Sequence, residues 1–178
     1  MKIEPYIKIN NEWTIPDSAM QAIFHKMKEF GLVKKVWCEG QVKTEEDFIT
    51  YLQNKQNHMV ALFGDDHAIM AINWINGITR NSAFLHFCLM PEVWGIDSFK
   101  IGNAFIRYWF DFKDKDGRPM FDVLLGKIPV TNRTAIRFMK KSGMTVMGEI
   151  PKASWDYYRN EYFGAVLAYA ERESFLNG

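Results

Sequence analysis

The sequence contains no long apolar run: its longest apolar stretches, around residues 121–126 and 162–170, fall far short of the roughly 20 residues that a membrane-spanning helix needs. Its first eight residues, Met-Lys-Ile-Glu-Pro-Tyr-Ile-Lys, hold no apolar segment and no small-residue cleavage site, so a secretory leader is not expected. Charge of one sign is also lacking, with 22 Lys and Arg against 21 Asp and Glu and a formal net charge of +1. That removes the global basic footprint of a nucleic-acid partner or a polybasic membrane reader, and no RNP-like or GXXG loop restores it. Cysteine is scarce. Cys38 and Cys88 stand in unrelated contexts without metal-ligand spacing, and they read as reduced thiols of a cytoplasmic protein. No pair among His25, His58, His67 and His86 has ligand spacing, so no metal is expected. Internal repeats, low-complexity tracts and Pro/Ser-rich linkers are missing as well, which makes one domain over residues 1–178 the economical reading.

Aromatic residues are abundant, at 15% of the chain, and suit a thick mixed core or a pocket wall. After an extended start over residues 3–9, Pro16-Asp17-Ser18 precedes Met20, Ile23, Phe24, Met27 and Phe30 at helical spacing, with Gly31 as the stop. Thr44 caps a second helix whose first turn is acidic and which ends near Asn57. The period then changes to that of strands: 58–63 and 67–74 form a hairpin, and 82–90 follows as a central strand, with Phe84, His86, Cys88 and Met90 on one face. A loop from Trp94 leads to Ser98, read as the cap of a helix carrying Ile101, Phe105, Tyr108, Trp109 and Phe112 on one face. A buried strand over 121–126, a short helix over 133–142 opened by Asn132 and closed by Gly143, a strand over 144–150 and an aromatic loop over 151–159 come next. Residues 162–175 read either as a helix, from their Ala, Leu and Glu content, or as the hairpin partner of the preceding strand. This order is α/β grading into α+β.

Two local patterns carry a resemblance over nearly the whole chain. Asn132-Arg-Thr-Ala135-Ile-Arg-Phe138-Met-Lys-Lys-Ser-Gly143-Met144 resembles the N-x-x-A-x-x-(aromatic or Leu)-x-x-K-x-G-F segment of the GNAT superfamily of acyl-CoA-dependent N-acyltransferases. Its physical sense is a helix packed closely at Ala135 and stopped at Gly143 by a left-handed residue. The strand, loop and helix over 84–109 resemble the family's Q/R-x-x-G-x-G/A region, where backbone N–H groups at a helix start cradle a pyrophosphate. Two registers are open there: Phe99-Lys-Ile-Gly102-Asn-Ala104 keeps the Gly and Ala spacing with Phe in place of Gln or Arg, or Trp94-Gly95 begins the loop and 96–98 is an insertion. The Trp-Gly loop and Pro129-Val-Thr-Asn132-Arg-Thr-Ala135-Ile also resemble acetyltransferase-like domains encoded by tailed phages.

The resemblance implies a mixed, mostly antiparallel central sheet with helices on both faces, acetyl-CoA as acyl donor, and a small-molecule or protein amine attacking the thioester directly in a cleft between the two central strands. It implies CoA contacts at Leu89, Trp94, Gly95, Lys100, Ile101 and Gly102, and at Asn132 and Arg137 of the later helix, whose Arg133, Lys140 and Lys141 make it one-sidedly basic. His86 on the central strand is the candidate base that neutralises the amine; an imidazole in an apolar strand also serves as a hydrogen-bonded core residue. Many family members carry a Tyr after the position of Phe138 as the acid for the leaving thiolate. This chain has Met139, whose thioether donates no proton, so Tyr157 and Tyr158 in the aromatic loop become the candidate acids. Phe99 and Met139 also support an alternative in which the fold is catalytically silent and serves binding or assembly.

Overall fold

A computed structural model of the chain describes residues 2–95 and 98–178; Ile96 and Asp97, which the sequence reading places in the loop after Trp94, lie outside the described residues. The chain begins with strand β1 (Lys2–Tyr6) and a minimal hairpin, β2 (Lys8–Ile9) and β3 (Glu12–Trp13). Three helices follow, α1 (Asp17–Glu29), α2 (Leu32–Val36) and α3 (Glu45–Gln53), and then strands β4 (His58–Phe63), β5 (Ile69–Asn76) and β6 (Ser82–Leu89). A single 3-10 turn at Pro91–Val93 leads towards α4 (Ser98–Asp111), β7 (Val123–Pro129), α5 (Arg133–Lys141), β8 (Thr145–Asp156), β9 (Glu161–Glu171) and α6 (Arg172–Asn177). Seven strands hydrogen-bond in the order β1-β4-β5-β6-β7-β9-β8. The β1/β4, β4/β5 and β7/β9 ladders are antiparallel and β6/β7 is parallel, so the fold is mixed α/β with a mostly antiparallel sheet.

The residues group into two compact units. The first comprises the chain up to Ile75, His86–Trp94 and Asp156–Asn160. Its helices form where the sequence provides both a stripe and a cap. Met20, Ile23, Phe24 and Met27 bury one face of α1, and Gly31 at φ 64 ends that run in the left-handed region. The chain restarts at once as the five-residue α2, which periodicity alone did not separate. In α3 the Thr44 hydroxyl accepts from the Asp47 N–H while the Asp47 carboxylate accepts from the Thr44 N–H, a reciprocal capping box. Backbone donors from Thr44 and Lys43 hold the Asp47 carboxyl below its ordinary range. Met59, Val60, Ala61 and Leu62 of β4 are all buried, as in a strand covered on both sides.

The second unit comprises Asn76–Leu85, Gly95–Trp155 and Glu161–Gly178. Ile101, Phe105, Ile106, Trp109 and Phe110 form the buried face of α4; Phe112, expected on that face, is exposed. Seven residue pairs join β7 to β9, from Val123↔Glu171 to Pro129↔Ala165. That ladder settles 162–171 of the ambiguous last segment as a strand, because pairing along β7 outweighs the weak helical preference of its Ala, Leu and Glu residues, while 172–175 fall in helix α6. The expected aromatic loop over 151–159 is also revised: β8 runs through Asp156, and only Tyr157–Asn160 remain as the turn into β9. On β6 Ala83, Leu85 and Cys88 are buried and Phe84, His86 and Phe87 are half-buried, so both faces of the strand are largely covered.

Candidate functional site

In the first unit His86 is half-buried and lies flat on Trp74, with ring centroids 5.0 Å apart and planes 10° from parallel. Trp74 lies flat in turn on Trp37, at 5.2 Å and 14°. Tyr51 stands edge-on to both indoles, and its hydroxyl accepts from Trp74 Nε1 at 3.3 Å. The residue before Trp74 holds the same histidine by its backbone: the Asn73 side-chain amide, fully buried, donates to the His86 carbonyl at 2.6 Å. Cys88 follows two residues along β6 with its thiol pushed up to about 12 by burial, so it remains protonated at neutral pH.

The two candidate acids sit on the turn after β8. Tyr157 donates its backbone N–H to the Cys38 carbonyl at 2.8 Å, and a Cβ at Gly40 would come within 2.6 Å of its ring. Lys43 Nζ lies 4.8 Å from the centre of the Tyr157 ring, and Lys34 Nζ lies 5.2 Å from that of Tyr158. Asp156 caps the turn by accepting from the N–H groups of Tyr158 and Arg159. Burial, followed by the nearby Tyr157, Asp156 and Cys38, raises the Tyr158 pKa, so its phenol keeps its proton at neutral pH. Trp94, 52% exposed, donates its indole N–H to the Leu89 carbonyl at 2.9 Å and meets Phe30 edge-on.

The second unit contains α4 and α5. Asn132 Oδ1 accepts from the Ala135 N–H at 3.2 Å, the cap that the sequence reading assigns to it. Arg133, Arg137, Lys140 and Lys141 of α5 are exposed. Ser98 is the first residue of α4, and its hydroxyl donates to the Gly95 carbonyl at 2.8 Å. Gly95 has φ 125, with no atom of the described residues beyond its chain neighbours within 4 Å of where a Cβ would stand, and Lys100 is exposed. Ile101 is buried, and Gly102 lies within α4, where a Cβ would come within 2.7 Å of Phe138 Cζ and closer still to Ser142 Oγ. Gly102 is therefore the point where α4 meets α5, a packing reason for a glycine that the motif spacing reads as a phosphate loop. Two surface hollows, of about 220 Å³ beside Gly143 and Phe175 and about 360 Å³ beside Phe63 and His67, include none of the candidate residues.

No protein-family model and no curated protein sequence matches the chain. Solved structures do. The spermidine N-acetyltransferase of Vibrio cholerae in complex with CoA and spermine has a TM-score of 0.73 at 12% identity, over 98% of each chain. A GNAT-family acetyltransferase of Bacillus anthracis has a TM-score of 0.68 at 18% identity, over 89% of this chain and 92% of its own. The chain has the GNAT fold.

Within this GNAT fold, Met139 is buried, 2% exposed, with its sulfur 3.4 Å from where a Cβ would stand on Gly126 of β7. Met139 thus serves the packing of α5 on its strand. The sequence reading missed Trp37, Trp74 and Asn73 around His86, and Lys34 and Lys43 over the tyrosines. No local signal marks them, because each meets its partner across 12 or more residues of chain.

Proposed function

We propose that the chain is an N-acetyltransferase that moves the acetyl group of acetyl-CoA onto an amine in the cytoplasm. The observation that carries this reading is the end-to-end likeness to a spermidine N-acetyltransferase solved with CoA and spermine, over 98% of both chains at TM-score 0.73. Two features of the second unit suit the donor. The first turn of α5, capped by Asn132 and flanked by exposed Arg133 and Arg137, offers amide donors and positive charge to an anion. The β6/β7 ladder holds three pairs, Ser82–Phe84 with Val123–Leu125, whereas β7 continues to Pro129 against β9. An amide-bearing pantetheine arm pairs readily with strand backbone beyond such a ladder. Ile101 and Gly102 are best left out of the donor site, since one is buried and the other is packed against α5.

Acetyl transfer needs a neutral amine, stabilisation of the developing oxyanion and a proton for the departing sulfur. In this reading His86 accepts the ammonium proton and Tyr158, kept protonated by its surroundings, supplies the proton to the thiolate. The buried Met139 serves neither step. Substitution Tyr158→Phe is then expected to lower kcat more than it changes KM, since a proton donor acts in the transition state. Equal kinetics in wild type and variant would leave water as the donor.

The buried Met139, together with a Trp94 indole already engaged by Leu89, favours a second reading in which the fold binds a ligand without turnover. A calorimetric titration with acetyl-CoA, coupled to a thiol-release assay over spermine, amino-acid and peptide amines, separates the two. Binding with release supports the transferase, and binding without release from any amine supports the silent fold. Absence of binding at millimolar acetyl-CoA overturns the donor site itself.

A further inference from the structure

His86 is held from two directions by consecutive residues of β5. The Asn73 amide pins its carbonyl at 2.6 Å, and the Trp74 ring lies parallel to its imidazole at 5.0 Å. Behind Trp74 the Trp37 ring continues the stack at 5.2 Å and 14°. Trp37 is 3% exposed, and among the described residues its Nε1 is the buried side-chain polar atom with no hydrogen-bond partner. An unmet indole donor is costly, so the ring's position is explained by what its face touches rather than by its N–H.

We propose that Trp74, backed by Trp37, is a positioning residue that holds the His86 imidazole ready for proton transfer. The proposal rests on the reading of His86 as the base. Stacking occupies one face of the imidazole and leaves both ring nitrogens in its plane, clear of the indole, so the clamp fixes orientation without blocking the lone pair. An indole face also attracts a cation, so the stack accommodates the ring after it gains a proton. Among the described residues, Tyr51 is a titratable group of the stack, edge-on to both indoles, and Cys88, two residues along β6, stays a thiol at neutral pH.

The pair carries its own optical signal, because a protonated imidazole in contact with indole quenches its fluorescence. In the intact protein, tryptophan emission should fall on acidification as a single-site titration that His86→Gln abolishes. Persistence of the same titration in His86→Gln would overturn the stacked pair. In the acetyl-transfer assay, Trp74→Leu should lower kcat roughly tenfold to a hundredfold with little change in KM, as expected for a misdirected group. It should also shift the acid limb of the pH–rate profile, and Trp74→Phe, which keeps a flat ring, should restore most of the rate. Circular dichroism confirms that each variant is folded. If Trp74→Leu is folded and keeps both its rate and its pH profile, the stack is core packing only and the proposal fails while the transferase reading stands. If His86→Gln abolishes the optical titration but keeps full activity, the pairing is real, His86 is not the base, and the positioning role falls with it.

Discussion

Helices α4 and α5 carry their motif residues in opposite ways, although the sequence presents both as motif-bearing helices. On α5 the cap is local: Asn132 bonds the N–H three residues on, only Met139 is buried, and Gly143 at φ 97 ends the helix. On α4 six residues are buried, and one of them is the glycine on which motif spacing rests its phosphate loop. A capping asparagine means the same thing in any surroundings, whereas a glycine within a degenerate motif takes its meaning from whatever approaches it. Here that is Phe138 and Ser142, the latter bonded through its own hydroxyl to the Phe138 carbonyl at 2.9 Å.

The comparison breaks most sharply at Gly102. Its replacement by Val should lower stability by about 2–3 kcal/mol, because the added carbons overlap Phe138 and Ser142 in a buried contact. Gly102→Ala should cost less, since the better helix propensity of Ala returns up to about 1 kcal/mol. Urea midpoints at constant m measure both. A Gly102→Val protein of wild-type stability that no longer binds acetyl-CoA would restore the phosphate-loop reading.

What could be read from the sequence divides along the same line. Helices α1, α3 and α5 and strands β4 to β6 were legible because their stripes, alternation and caps lie within a dozen residues. The strand identity of β9 was not, since its competing helical signal is local and the deciding ladder with β7 lies about 40 residues away. Of the candidate site, His86 and Asn132 stand out as residue types in the right pattern. The Trp37–Trp74 stack and the lysines over Tyr157 and Tyr158 are tertiary meetings that no spacing rule anticipates.

On the α5 side the expected effects are smaller. Asn132→Ala removes the acceptor for the Ala135 N–H and should cost about 1 kcal/mol, with Asn132→Asp keeping the cap. If the asparagine also holds the donor, Asn132→Asp should be stable yet bind acetyl-CoA more weakly, because the carboxylate repels phosphate. Equal affinity in both proteins would confine Asn132 to capping.

The smallest structural effect is expected at Arg137, and it sharpens the comparison by separating charge from packing. Its side chain is exposed on α5, so Arg137→Ala should leave the denaturation midpoint within about 0.5 kcal/mol of wild type. An exposed cation acts on an anionic ligand through a screened field, so its loss should weaken acetyl-CoA binding a few-fold at low salt and by less as ionic strength rises. Measured at two salt concentrations, a wild-type affinity that falls with salt and an Arg137→Ala affinity that falls less would place the nucleotide end of the donor beside α5. Identical salt slopes would show that this face is merely solvated, and the donor's phosphates would then have to be sought at the first turn of α4, near Lys100.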